Sequence, residues 1–483
     1  MRVAARSFKY DLSYQALNVT DGALSEAIVE GRSPEHLMSL PVPTQYRAAH
    51  TRMADADLFN GVAEKDVRRS LRVGLVPMPE LAPDEVLIGV MASSINYNTV
   101  WSATFDPIPT FVFLRQLGQQ GGWESRHDLP YHVLGSDGSG VVVRVGTAVR
   151  RWSVGDHVVI APAYIDHEDP LANGDSMMAS DQRAWGFETN FGGLADYCVV
   201  RASQLLPKPA HLSWEEAAVN SLCVGTAYRM LVSDRGARMK QGDVVLVWGA
   251  SGGLGAYATQ LVRNGGGIAV GVVSSNSRAD AARLLGCQVV INREELGLVG
   301  SENLDPVAVG KTLGKIIRRE TGEDPHIVFE HVGRATFGLS LFLARRGGIV
   351  VSCGSSTGFL HEYDNRYLWM RLKRIIGSHG ANLQELGEAN RLLDLGHLKS
   401  ALSTTYPLDQ VAEAARLVQE NLHLGKVGVL CLAPREGMGI TDPDQRSRIE
   451  RNGSVAPLRD NLVVAAIEKL AKKKEGLSNG HPR

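Results

Sequence analysis

The run Asp243-Val-Val-Leu-Val-Trp-Gly249-Ala-Ser-Gly252-Gly253-Leu-Gly255-Ala-Tyr-Ala-Thr-Gln decides the reading of this 483-residue chain. Apolar residues of buried-strand character lead into a glycine turn, and small residues open a helix directly after it. A phosphate group requires that arrangement, because backbone N–H groups reach it only where no Cβ intervenes. The helix N-terminus adds free donors and a partial positive charge. The spacing is G-x-x-G-G-x-G, not the commoner dinucleotide fingerprint G-x-G-x-x-G. Gly249, Ser251, Gly252, Gly253 and Leu254 are therefore candidate cofactor-binding residues, although an ordinary tight β–α turn has the same local pattern.

The second strand bears on which nucleotide. Gly267-Ile-Ala-Val-Gly-Val-Val273 ends at Ser274-Ser275-Asn276-Ser277-Arg278. A site for NAD usually places an acid there to accept from the ribose 2′-OH, whereas hydroxyls and a cation suit the 2′-phosphate of NADP. No acid stands at this strand end, so Ser274, Ser275 and Arg278 point to NADPH. A capped helix, with Ser275 or Ser277 as N-cap and Arg278 on a solvated face, explains the same residues. Both readings can hold at once.

Length and composition bound the rest. A chain of this size can bury at least two cores, and 44% hydrophobic residues with 51 glycines suit an α/β enzyme. A formal net charge of −1 favours no nucleic-acid partner. No stretch of about 20 apolar residues is present to span a membrane, and Met1-Arg-Val-Ala-Ala-Arg-Ser-Phe-Lys-Tyr lacks the apolar core of a signal peptide. Cys198, Cys223, Cys287, Cys353 and Cys431 show no ligand spacing, which reads as reduced core thiols and a cytoplasmic location.

Along the chain, residues 1–70 read as a helical, polar extension with a break at Leu40-Pro-Val-Pro43. Over 71–230, β-like runs such as Glu85-Val-Leu-Ile-Gly-Val90 alternate with glycine turns, predicting an irregular β-rich domain. Over 231–383, strands and helices alternate as in a doubly wound nucleotide domain. Residues 384–434 read as a helix and a final strand returning to the first domain. Residues 435–483 form a polar tail with an amphipathic helix at 461–474.

This α/β organisation, with its glycine loop and returning Gly425-Lys-Val, resembles the medium-chain dehydrogenases/reductases: a GroES-like catalytic domain plus a Rossmann-type domain. Zinc members of that superfamily carry Gly-His-Glu where this chain has Gly135-Ser-Asp-Gly-Ser-Gly140, so no metal is expected. The segments Ser93-Ser-Ile-Asn-Tyr-Asn98, Trp185-Gly-Phe-Glu-Thr-Asn-Phe-Gly-Gly, Ile-Ile-Gly-Ser-His379 and His423-Leu-Gly-Lys-Val-Gly-Val-Leu-Cys resemble the crotonyl-CoA carboxylase/reductase family. The resemblance runs from about residue 40 to 445.

That resemblance implies NADPH-dependent reduction of a 2-enoyl-CoA thioester, trapping of the enolate by CO2 as co-substrate, and an alkylmalonyl-CoA product of the kind used as a polyketide extender unit. It implies a homo-oligomer, usually a tetramer. It casts Asn98 as an amide donor to CO2, Phe187 as an apolar wall, Glu188 and His379 as residues ordering water, and Thr226 as a neighbour of the nicotinamide. Arg366 and Arg371 are either scaffold or contacts to the CoA phosphates. Two departures bear on the substrate: Gly380 stands where crotonyl-specific members usually have Phe, and Ala163 where Leu or Ile is common. Both remove volume, which predicts a longer acyl chain such as 2-octenoyl rather than crotonyl. The alternative for Gly380 is a backbone requirement for positive φ, and for Ala163 a core position. Crotonyl-CoA carboxylation, an enoyl or quinone reductase without CO2 fixation, and a non-enzymatic NADPH-binding protein are the competing functions.

Overall fold

The computed structural model describes residues 22–298 and 306–452; the expected helix at 461–474 lies outside them. The glycine-loop half is a six-stranded parallel sheet. Its spatial order is Val289–Asn292, Ile268–Val273, Val244–Trp248, Ile327–Glu330, Ile349–Ser352, Arg374–Gly377. Val244–Trp248 is buried at every position, because both faces of the sheet are covered. Val245 and Val247 enter one core with the helices Ser221–Leu231, Gly253–Asn264 and Leu383–Asp394; Val244, Leu246 and Trp248 enter the other. The chain runs outward from Val244–Trp248 on one side and then resumes at Ile327–Glu330 on the other. This reversal opens a crevice at the C-terminal strand ends, where ligands of such sheets bind.

The β-rich half is built on Glu85–Ile95, an 11-residue strand buried throughout. One edge pairs with Ser139–Val145. The other edge pairs with Tyr197–Arg201 along its first part and with the returning strand Lys426–Leu430 along its last. A separate antiparallel sheet joins Arg72–Pro77, Gln45–Arg52 and Tyr131–Val133. Among the described residues, no helix is long and apolar enough to cross a membrane.

Two sequence expectations need correction. Residues 45–52, read as part of a helical extension, form the central strand of that three-stranded sheet. The adjacent Ala48 and Ala49 face opposite sides of the strand and are both fully buried, one in each of two cores, so burial on both faces leaves no alternation to mark a strand. Only Ala23–Val29 and Pro34–Ser39 are α-helical in the described part of the extension, and they pack onto the β-rich core. The tail beyond 435 is polar, but Pro443–Asn452 is a helix pinned by Arg446 to Glu216 at 2.7 Å.

Where the halves meet, the β-rich half carries a buried ion pair whose carboxylate also holds the Ser221–Leu231 helix of the other half. Lys426 and Asp137 are 3% and 0% exposed, and Lys426 Nζ donates to Asp137 Oδ2 at 3.1 Å. The same oxygen accepts from Ser94 Oγ (2.7 Å) and Asn96 Nδ2 (2.8 Å), while Oδ1 accepts from the Leu222 N–H (2.8 Å). Removing one partner strands the other charge in the interior, at a cost of about 3–5 kcal/mol. Lys426→Met is therefore expected to lower the unfolding free energy in urea by about that amount; an unchanged midpoint would show that the pair contributes nothing.

Candidate active site

The strand Val244–Trp248 ends at Gly249, whose φ of +59° lies in the left-handed region. The Gly252 N–H donates to Gly249 O (2.9 Å), closing the turn, and Gly252 caps the helix Gly253–Asn264. A Cβ on Gly255 would stand 2.2 Å from Gly249 O, so this glycine lets the helix pack against the turn. Ser251 is buried and Leu254 half-buried beside it. The first N–H groups of a helix have no partner within it, which makes this helix start a candidate phosphate cradle. The returning segment then docks on the loop: the Gly425 N–H donates to Ser251 O (2.7 Å), and Gly425 bridges Gly252. His331, bonded through Nε2 to Trp248 O at 2.8 Å, lines the other side of Gly249.

At the next strand end the structure shows the cap. Ser275 caps Asn276–Leu284 by accepting from the Arg278 N–H, and Ser274 is half-buried just before it. Arg278 is not on a solvated face. It is 7% exposed and reaches Ser251 Oγ (3.4 Å) and Asn421 Oδ1 (3.2 Å). Burial pushes its guanidinium down to about 10, still far enough above neutrality to keep it charged. Among the described residues it has no carboxylate partner, so an anion from outside the protein is the group that would neutralise it. The residues present thus fit a 2′-phosphorylated dinucleotide. Asn421, from the returning segment, is a neighbour that sequence reading did not single out.

The other candidate residues converge through one loop. Asn98 lies in the first turn of Tyr97–Thr104, and its Nδ2 donates to Ser136 Oγ at 2.7 Å. One turn on, Trp101 meets Phe187 at 6.4 Å between centroids, and Phe113 meets Phe187 from elsewhere at 6.0 Å. Phe187 is thus half-buried in an aromatic wall beside the Asn98 helix. Glu188 Oε2 accepts from the Ala184 N–H (2.8 Å). Two residues before Ala184, Gln182 Oε1 meets His379 Nδ1 at 3.2 Å. His379 follows the last strand of the parallel sheet and is exposed. Residues 182–188 therefore touch both halves of the molecule. A cavity of about 550 Å³ opens alongside, lined by Tyr97, Val100, Trp101, Thr104, Ser355 and Phe359.

Thr226, 6% exposed, follows Gly225, where a Cβ would lie 3.1 Å from Ala381 Cβ; this puts Thr226 close to the His379 turn. Ala163 pairs with Ala184 in a two-stranded sheet and is half-buried. Gly380 has φ +53°, so its backbone does ask for glycine, and a side chain there would be strained by about 1–2 kcal/mol. The conformational explanation of Gly380 therefore holds, and the space beside it is met by Met177 Cε, 3.1 Å from where a Cβ would stand. Arg366 pairs with its neighbour Asp364 at 2.7 Å on an exposed turn, and Arg371 is also exposed.

A zinc ion does not fit the position where zinc relatives hold one. Ser136 accepts from Asn98, and both oxygens of Asp137 are engaged inside the protein. Among the described residues no three His, Cys, Asp or Glu side chains converge as a metal set.

Comparison with known proteins identifies the family and the fold. The alcohol dehydrogenase GroES-like domain family matches residues 82–210, and the zinc-binding dehydrogenase family matches 253–394. Crotonyl-CoA reductase of Streptomyces collinus is 50% identical over 415 residues, covering 85% of this chain and 93% of the relative. Crotonyl-CoA carboxylase/reductase of Cereibacter sphaeroides is 39% identical over 381 residues, covering 77% and 86%. The structure of the 2-octenoyl-CoA carboxylase reductase CinF in complex with NADP and 2-octenoyl-CoA superposes with a TM-score of 0.88. Its identity is 62%, covering 90% of this chain and 99% of that one. The chain belongs to the crotonyl-CoA carboxylase/reductase family of the medium-chain dehydrogenases/reductases.

Proposed function

We propose that this protein uses NADPH to reduce a 2-enoyl-CoA and joins the product to CO2, giving an alkylmalonyl-CoA, with medium-length acyl chains such as 2-octenoyl preferred over crotonyl. The observation that carries the reading is the 182–188 loop, which sets Phe187 beside the Asn98 helix and Gln182 against His379, with Glu188 bonded back to Ala184 within it. Bound NADPH would supply a hydride to Cβ of the thioester, leaving an enolate whose Cα bonds to the carbon of CO2. CO2 is small and uncharged, so carboxylation outruns protonation only where CO2 is held and loose water excluded. An amide nitrogen carries two hydrogens. One of those on Asn98 is spent on Ser136, and the second serves an oxygen of CO2. Phe187 supplies an apolar wall. Glu188, with Oε2 fixed by Ala184, and His379, oriented by Gln182, hold an ordered water rather than releasing a proton into the site.

Gly249, Ser251, Gly252, Gly253 and Leu254 cradle the pyrophosphate, Thr226 lies toward the nicotinamide, and Ser274, Ser275 and Arg278 receive the 2′-phosphate. The longer substrate is supported by the small residues Ala163 and Gly380 and by the 62% identity to an enzyme solved with 2-octenoyl-CoA. An alkylmalonyl thioester is a carbon donor for condensation reactions, which suits supply of extender units. Five free cysteines suit the cytoplasm, where NADPH and CoA thioesters are available.

The assembly is a homo-oligomer, built up to a tetramer with at least one contact through the sheet edge. Among the described residues, Arg374–Gly377 pairs on one side only, with Ile349–Ser352. Trp369, Met370 and Leu372 beside it are 62%, 53% and 64% exposed. Such an edge with apolar flanks is a template for a second copy of the same strand.

NADPH oxidation with crotonyl-CoA and 2-octenoyl-CoA, with and without bicarbonate, tests the reaction directly. The expected product is heavier than the saturated thioester by one CO2, with the faster rate on octenoyl; saturated thioester alone, indifferent to bicarbonate, would make the protein a plain reductase. Arg278→Gln should raise the Kd for NADPH roughly 10- to 100-fold, the worth of hydrogen bonds to a charged phosphate, and leave that for NADH nearly unchanged. Equal losses for both would remove the 2′-phosphate role. Light scattering should show an oligomer that Leu372→Glu dissociates, whereas a monomeric parent protein would refute the edge contact.

A further inference from the structure

The side chain that meets the space beside Gly380 belongs to Met177, whose Cε lies 3.1 Å from where a Cβ on Gly380 would stand. Met177 sits on the long excursion between Ala163–Tyr164 and Arg183–Ala184, two short strands paired with each other. The excursion is fastened to the nucleotide-binding half at two points. Asp175 accepts from Arg229 Nη1 and Nη2 (3.1 and 2.5 Å) and from Asn382 Nδ2 (3.2 Å). Arg229 also donates to Glu385 at 2.9 Å, and Arg229, Asp175 and Glu385 are at most 7% exposed. Past Met177, Gln182 meets His379. Asp175 Oδ1 further accepts from the Met177 N–H itself (3.3 Å). The backbone carrying Met177 is thus held on the segment that carries His379 and Gly380. Its side chain is unbranched, with three rotatable bonds, and adapts to whatever shares its space.

A glycine at 380 therefore does not by itself open a channel, because Met177 reaches into the volume a larger residue would take. We propose that Met177 is a specificity-determining residue that sets the usable acyl-chain length, its thioether end filling the space beside Gly380 and moving aside for longer chains. This rests on the reading above, in which the acyl chain runs past Gly380. It assigns the length limit to a residue on a different segment from the two small positions that the sequence brings forward.

The cleaner handle is Met177 and not Gly380, since φ +53° strains any side chain placed at 380. The test compares kcat/KM of the full-length protein, read as NADPH oxidation, for 2-butenoyl-, 2-octenoyl- and 2-decenoyl-CoA. Met177→Ala should raise the decenoyl-to-octenoyl ratio by up to roughly fourfold for each further methylene buried. Met177→Phe should lower the octenoyl-to-butenoyl ratio by a similar factor. Met178→Ala, at a neighbour 63% exposed, should leave both ratios as they were. Thermal melting checks that each variant is folded, and Met177→Leu replaces the alanine variant if that one is not. Parent-like ratios in folded variants at Met177 would overturn the proposal while leaving the reaction intact. Loss of CO2 incorporation in the parent protein, scored separately by product mass, would instead count against the carboxylation reading. Absence of any enoyl-CoA turnover by the parent would overturn both.

Discussion

The Lys426–Asp137 pair is the constraint on which the arrangement depends. Two full charges removed from water are tolerated only when their remaining hydrogen-bonding capacity is met. Here Ser94, Asn96, the Leu222 N–H and the Ile95 carbonyl meet it. Those groups come from the end of the long central strand, the start of the Ser221–Leu231 helix and the returning strand. One carboxylate therefore sets three backbones at once. Lys426 is next to Gly425, which bridges the glycine loop, and Asn96 is two residues before Asn98. The register between the phosphate cradle and the proposed CO2 donor is fixed by this single buried contact.

Around that anchor the molecule divides its labour. The parallel sheet presents a glycine turn at a helix start and a buried Arg278 without a carboxylate partner among the described residues, the features on which the proposed cofactor site rests. The β-rich half offers Asn98 on a short helix and Phe187 in an aromatic wall. Between them runs a segment held by a few polar contacts, at Asp175 and Gln182, rather than by a deep apolar core. In the proposed reading, recognition of the cofactor rests on rigid elements, whereas adjustment to the acyl chain falls to a tethered loop and one flexible thioether.

Particular residues show how far the primary structure could be read. The G-x-x-G-G-x-G run announced its own turn, because its requirements are local: a positive φ at Gly249 and no Cβ at Gly255. Arg278 was found by position after a strand, and its serine neighbours were legible both as a cap and as phosphate ligands. The strand at residues 45–52 was not, since Ala48 and Ala49 are buried on both of its faces and leave no alternation to read. Asn421 was missed because nothing in its own neighbourhood marks it; it matters through Arg278, 143 positions away. Gln182 meets His379 across 197 positions, and no periodicity reports that.

By itself, the sequence determined what depends on neighbours along the chain: a doubly wound nucleotide half, a β-rich half, the phosphate turn, and the motifs that mark the family. Backbone conformation and side-chain periodicity are short-range properties, so they are written locally. Only the tertiary structure decided which distant groups share one volume: the buried ion pair, the docking of Gly425 on the cradle, and the facing of Met177 and Gly380. Those are outcomes of packing, where desolvation and excluded volume act between segments that the chain order keeps far apart.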